Sequence, residues 1–124
     1  MKKILTLLAL TISFIMNAQL TAVTEGGNTG QRLSISNASN HGNIGSDAVD
    51  LSVQSLASST RGATGFKAVA MGSNTTASGS ISTAIGNANE ASGTFSTSMG
   101  VSTLASGYGS TSMGNYTVAS GWHS

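Results

Sequence analysis

Beyond residue 58 small and polar side chains alternate with period two inside a longer repeat that is marked by glycine. Glycine stands at 65, 72, 79, 86, 93, 100, 107, 114 and 121, always seven apart. The heptads come in two alternating flavours. FKAVAMG, SISTAIG, TFSTSMG and YGSTSMG begin at 66, 80, 94 and 108; SNTTASG, NANEASG, VSTLASG and NYTVASG begin at 73, 87, 101 and 115. The full period is therefore 14, with four copies between Phe66 and Gly121 and a degenerate half-copy, STRGATG, at 59–65. A coiled coil also repeats every seven residues, but it needs two bulky apolar positions per heptad and avoids glycine inside the helix. The fixed residues here are Gly, Ala and Ser, so helix is excluded and the alternation reads as strand.

The third, fifth and seventh positions of each heptad share one face. They hold Ala68, Ala70 and Gly72, then Thr75, Ala77 and Gly79, then Ser82, Ala84 and Gly86, and nothing bulkier than Asn89 follows. Such a ceiling on size predicts a confined interior where two backbones approach closely. Two short strands with glycine corners (Gly65, Gly72, Gly79, Gly86, Gly93, Gly100, Gly107, Gly114 and Gly121), wound once per 14 residues, make a flattened solenoid with a thin core. On the opposite face the sixth position is Met71, Ile85, Met99 and Met113 in one flavour and Ser78, Ser92, Ser106 and Ser120 in the other. Coils stacked about 4.8 Å apart turn these into one apolar row and one serine row. The apolar row, helped by Val69, Ile81 and Phe95, is adhesive on a lone chain. Burial against identical neighbours stabilises by roughly 1.5–3 kcal/mol per side chain, so self-association through Met71, Ile85, Met99 and Met113 is expected.

Residues 19–58 lack the repeat. Alternation in Leu33-Ser34-Ile35-Ser36 and Val49-Asp50-Leu51-Ser52-Val53 predicts strands, with turns at Gly26-Gly27-Asn28 and Asn40-His41-Gly42-Asn43. An open coil exposes unpaired strand edges, so 19–58 is expected to be an N-terminal cap with a transitional coil, a loose linker being the alternative. Ahead of it, Lys2 and Lys3, the apolar run 4–16 and Asn17-Ala18-Gln19 form a secretory leader over 1–18, cleaved near Ala18 and Gln19. The run is too short to span a bilayer comfortably, and with no cysteine no lipid can be attached there.

The alternation of S-x-A-[IM]-G with x-x-A-S-G resembles the head repeats of YadA-like trimeric autotransporter adhesins. Ser82-Thr83-Ala84-Ile85-Gly86 with Glu90-Ala91-Ser92-Gly93, and Ser96-Thr97-Ser98-Met99-Gly100 with Leu104-Ala105-Ser106-Gly107, carry the likeness, which covers 59–124. The resemblance implies an all-β fold: a single-stranded-per-coil, left-handed parallel β-roll (β-solenoid), assembled as a homotrimer and displayed on a bacterial surface. It also implies that Met71, Ile85, Met99 and Met113 face the trimer axis. The family continues into a coiled-coil stalk and a β-barrel anchor, whereas the repeat here breaks at Trp122-His123-Ser124, the opening of a further heptad. The expectation is a fragment of something longer.

Composition narrows the chemistry further. Without the leader, Arg32, Arg61 and Lys67 stand against Glu25, Asp47, Asp50 and Glu90, a net −1, so no basic patch awaits nucleic acid or an anionic membrane. Proline and cysteine are absent, which removes disulfides and thiolate chemistry. His41 and His123 have no partner spacing and read as structural or solvated, and Asp47 and Asp50 read as a polar turn and strand face. Gly107-Tyr108-Gly109 has no following helix and reads as a repeat corner rather than a phosphate loop, and no Asp recurs in the repeats to hold calcium. Asn37, Asn74 and Asn115 fit the glycosylation pattern by chance in so Asn/Ser/Thr-rich a chain. No catalytic, cofactor or metal site and no membrane insertion after leader removal are expected. The leading function is a non-enzymatic exported adhesin head acting multivalently on host, matrix or other surfaces. A structural spacer or tail-fibre-like segment is the alternative. A threonine ladder (Thr83, Thr97, Thr111) that binds ice or crystal surfaces is a weaker one, because the neighbouring column reads Lys67, Ile81, Phe95, Gly109.

Overall fold

The computed structural model describes residues 2–4 and 20–124. Nearly all of the leader, with its cleavage point near Ala18 and Gln19, lies outside the described residues. An antiparallel hairpin of β1 (Leu20–Glu25) and β2 (Asn28–Leu33) opens the described chain, turning at Gly26 and Gly27 with φ of +58° and +84°. β2 then pairs in parallel with β3 (Val49–Val53), which starts a stack continued by the long strands β5 (Val69–Ser73), β7 (Thr83–Asn87), β9 (Thr97–Val101) and β11 (Thr111–Asn115). Between them the two-residue strands β4 (Gly62–Ala63), β6 (Thr76–Ala77), β8 (Glu90–Ala91), β10 (Leu104–Ala105) and β12 (Val118–Ala119) build a second sheet. The protein is an all-β parallel solenoid, and each coil carries a long and a short strand in place of a single one.

The interior is as thin as the alternation predicts. Ala68, Ala70, Ala77, Ala84, Ala91 and Ala105 are wholly buried between the two sheets, with Thr75, Ser82, Asn89 and Thr103 among them. Buried polar groups cost free energy unless they are hydrogen-bonded; Ser98, Thr103 and Asn89 are paired, whereas the Thr75, Ser82 and Ser96 hydroxyls are buried without a partner. Ser98 Oγ lies 2.6 Å from Thr103 Oγ1. Asn89 Nδ2 donates to the Ile85 and Gly100 carbonyls while its Oδ1 accepts from the Thr103 amide.

The corners differ from the expectation. Gly65, Gly79, Gly93, Gly107 and Gly121 open turns, but Gly72, Gly86, Gly100 and Gly114 sit as the fourth residue of long strands. The left-handed residue of each corner is the second of each heptad, from Lys67, Asn74, Ile81, Ala88, Phe95 and Ser102 through Gly109 and Tyr116 to His123. Stacking imposes this. The amide of each such residue donates to the coil before it, as Ile81 N does to Phe66 O at 2.7 Å and Phe95 N to Ser80 O at 2.9 Å. A left-handed L-residue costs about 1–2 kcal/mol, and a β-branched one is the worst suited. Ile81, at φ +55°, is the β-branched member, whereas Gly109 is free of the penalty. Ile81→Gly should therefore raise stability by about 1 kcal/mol after glycine's own entropy cost, read as a higher thermal midpoint.

The cap deviates in two further ways. Leu33 ends β2, and Ser34 and Ile35 form a turn, so the strand predicted at 33–36 lies instead at Asn28–Leu33. Its pattern N-T-G-Q-R-L gives no apolar alternation, because Gly30 and Arg32 are its inward residues. Val49–Val53 is a strand as expected, and it stacks in full register on β5. Val49 pairs with Val69, twenty residues on, whereas later coils repeat every fourteen.

Candidate functional site

The outward face of the long-strand sheet is ruled into columns by its register. Met71 pairs with Ile85, Ile85 with Met99 and Met99 with Met113, so the four residues form one unbroken row. Met71 and Met113 are 39% and 61% exposed, and Ile85 and Met99 are half-buried by their neighbours in the row. Leu51 pairs with Met71 and extends the row into the cap. Heptad counting misses it because the first coil is longer. Beside the row, Val49, Val69, Thr83, Thr97 and Thr111 form a second column, in which three threonines follow two valines. Ile81 and Phe95 stand at the corners, outside the sheet. They belong to an exposed ridge with Phe66, Tyr108 and Trp122, where ring centroids lie 5.4 Å apart for Phe95–Tyr108 and 5.6 Å for Tyr108–Trp122. Ser78, Ser92, Ser106 and Ser120 lie on the other, short-strand side, each directly after its strand.

Tertiary structure also gathers residues that spacing had kept apart. His41, read from the sequence as structural or solvated, and Asp50, read as part of a polar strand face, are both buried, with His41 Nδ1 2.8 Å from Asp50 Oδ2. A carboxylate only accepts, so Nδ1 carries the proton. Ser52 donates its hydroxyl and amide to Asp50 Oδ1, and Gln54 Nε2 donates to the Ser52 hydroxyl. On the other side Arg32 Nε lies 3.6 Å from Asp50, while the Arg32 guanidinium makes a two-pronged bond to Glu25 at 2.7 and 3.0 Å and donates to the Gly42 carbonyl. Glu25 in turn accepts from the Ile44 amide. Burial pushes the Asp50 carboxyl up, but hydrogen bonds from His41 and Ser52 and attraction to His41 outweigh it, so its pKa lies below the ordinary value. Burial likewise works against Glu25, and Arg32 with the Ile44 amide reverses it, again downward. Only the strand register and the 3-10 turn at Ala38–Asn40 bring these groups together, from Glu25 to Gln54 along the chain.

This constellation ties the cap to the first coil. Its carboxylates are saturated by Arg32, His41 and backbone amides, an arrangement that holds structure rather than a substrate. Among the described residues no three His, Cys, Asp or Glu side chains gather as metal ligands, and no helix is long and apolar enough to cross a membrane. An open hollow of about 930 Å³ lies beside the cap, walled by Ser39, His41, Asn43, Ser59, Thr76 and Glu90 among others.

No curated protein and no solved structure matches the chain. A family model does: the YadA head domain repeat aligns at 63–89, 82–103, 91–117 and 105–124, which together take in half of the chain. Three of the matches end at 89, 103 and 117, one 14-residue coil apart, and the chain belongs to the YadA head domain repeat family.

Proposed function

We propose that the protein is the head of an exported, surface-displayed trimeric adhesin without catalytic activity, and that it attaches multivalently to host, matrix or other surfaces. Family membership supports an adhesin-type head and implies a homotrimer. The observation that carries the reading is the uninterrupted outward row Met71, Ile85, Met99 and Met113, paired rung by rung. A solvated sheet face carries polar side chains, so a continuous apolar row asks for cover, and a copy of the same row supplies it. The Ser and Thr columns left outward then repeat every coil, and many weak contacts sum to avidity.

Ile85→Glu tests the assembly. Its side chain points outward, so the fold should survive by circular dichroism, while three carboxylates at one level of the seam should turn the trimer into monomers by sedimentation. A trimer that persists unchanged counts against this seam. For attachment, a chain deleted for 66–121 should no longer adhere when displayed on cells; retained adhesion would favour the spacer reading.

A further inference from the structure

The assembly row does not stop at the repeats. Leu51 pairs with Met71, Leu20 pairs with Leu33, and Leu33 follows Arg32, the partner of Asp50, so it lies level with Leu51. One outward apolar residue therefore comes from every strand of the seven-stranded sheet: Leu20, Leu33 and Leu51 in the cap, then Met71, Ile85, Met99 and Met113.

The polarity of the cap is inverted relative to a solvated end cap. Its charged strand residues, Glu25, Arg32 and Asp50, turn inward into the network with His41. The outward positions of β1, β2 and β3 carry no charge, and Val49, Leu51 and Val53 present three apolar side chains on one strand, with Val53 53% and Leu20 46% exposed. Burying Arg32, His41 and Asp50, with Glu25 half-buried beside them, while turning valine and leucine outward opposes the hydrophobic effect unless that face is covered.

We propose that the N-terminal hairpin and β3 are an intersubunit element, in which Leu20, Leu33 and Leu51 of each copy meet the same residues of the neighbouring copies. The proposal rests on the assembly reading above and extends it to a segment outside the matched repeats. A second copy is the occupant for a geometric reason. The cap leucines continue, in register and on the same sheet face, the row that copies would share, so subunits aligned along the repeats bring the cap rows together at no further cost. The inward charges leave nothing on this face to repel an identical face.

The chain contains no cysteine, so single introduced thiols report cleanly. Leu33→Cys, Met99→Cys and, on the short-strand side, Ser92→Cys are made in the full chain and treated with a short bis-maleimide. Linked products should form for Leu33→Cys and Met99→Cys to a similar extent and not for Ser92→Cys. Linking at Met99→Cys without Leu33→Cys overturns the cap proposal and leaves the assembly reading intact, whereas linking at neither overturns both. As a second readout, the double change Leu20→Ser with Leu33→Ser should raise the concentration at which the oligomer dissociates tenfold or more with the circular dichroism spectrum kept. An unchanged dissociation midpoint overturns the proposal.

Discussion

Gly93→Ala is expected to prevent the roll from forming, although it adds one methyl group. The backbone at Gly93 is acceptable to alanine, so the objection is space. A Cβ there would overlap the Gly107 carbonyl oxygen and stand 2.7 Å from its carbonyl carbon. The same clash recurs up the column, from Gly45 against Gly65 through Gly65, Gly79, Gly93 and Gly107, each against the glycine of the next coil. Relief at one level therefore requires the coils to separate, which breaks the parallel pairing on both sheets. Overpacking of a well-packed interior costs about 1–3 kcal/mol, and a contact against backbone with nowhere to move exceeds that. A domain stable by only about 5–15 kcal/mol is left marginal or unfolded. Thermal unfolding followed by circular dichroism should show loss of the cooperative transition, with exposed Ser106→Ala as the neutral comparison. A Gly93→Ala midpoint within a few degrees of the parent would refute the close-contact argument.

The second large effect concerns Asp50. Its folded pKa is depressed, so the stability it contributes is complete above its unfolded value of about 3.9 and is lost as pH falls through the folded value. Glu25 acts in the same direction. Thermal midpoints should accordingly hold level on the neutral side and decline as pH drops below about 4. At neutral pH, Asp50→Asn should cost on the order of 3–5 kcal/mol, because Arg32 and His41 remain buried against a neutral amide. It should also flatten the acid decline to the part that Glu25 supplies. An acid limb of unchanged steepness in Asp50→Asn would show that the network does not govern the pH response. Since Arg32 and Asp50 join β2 to β3, the loss should fall first on the cap.

Much of this molecule is written in its residue order. A repeat of 14, an interior that within the repeats accepts nothing larger than Asn89, and the row from Met71 to Met113 all follow from short-range alternation, since side-chain facing in a strand is set by counting in twos. The heptad glycines are legible for the same reason, as a size limit. Their roles are not: Gly93 opens a turn and Gly100 sits inside a strand, because where a coil bends depends on how it hydrogen-bonds to the coil beneath. Ile81 and Phe95 carry no local preference for a left-handed backbone, and stacking across 14 residues forces them into it. The cap shows the same limit. Nothing near His41 in the sequence names Asp50 as its partner, and no spacing rule aligns Leu20 and Leu33 with Met71 across a hairpin and a lengthened coil. Local order determined which faces are small, polar or apolar. Strand register, a property of chain segments far apart in sequence, decided which charges are buried together and how far the apolar row extends.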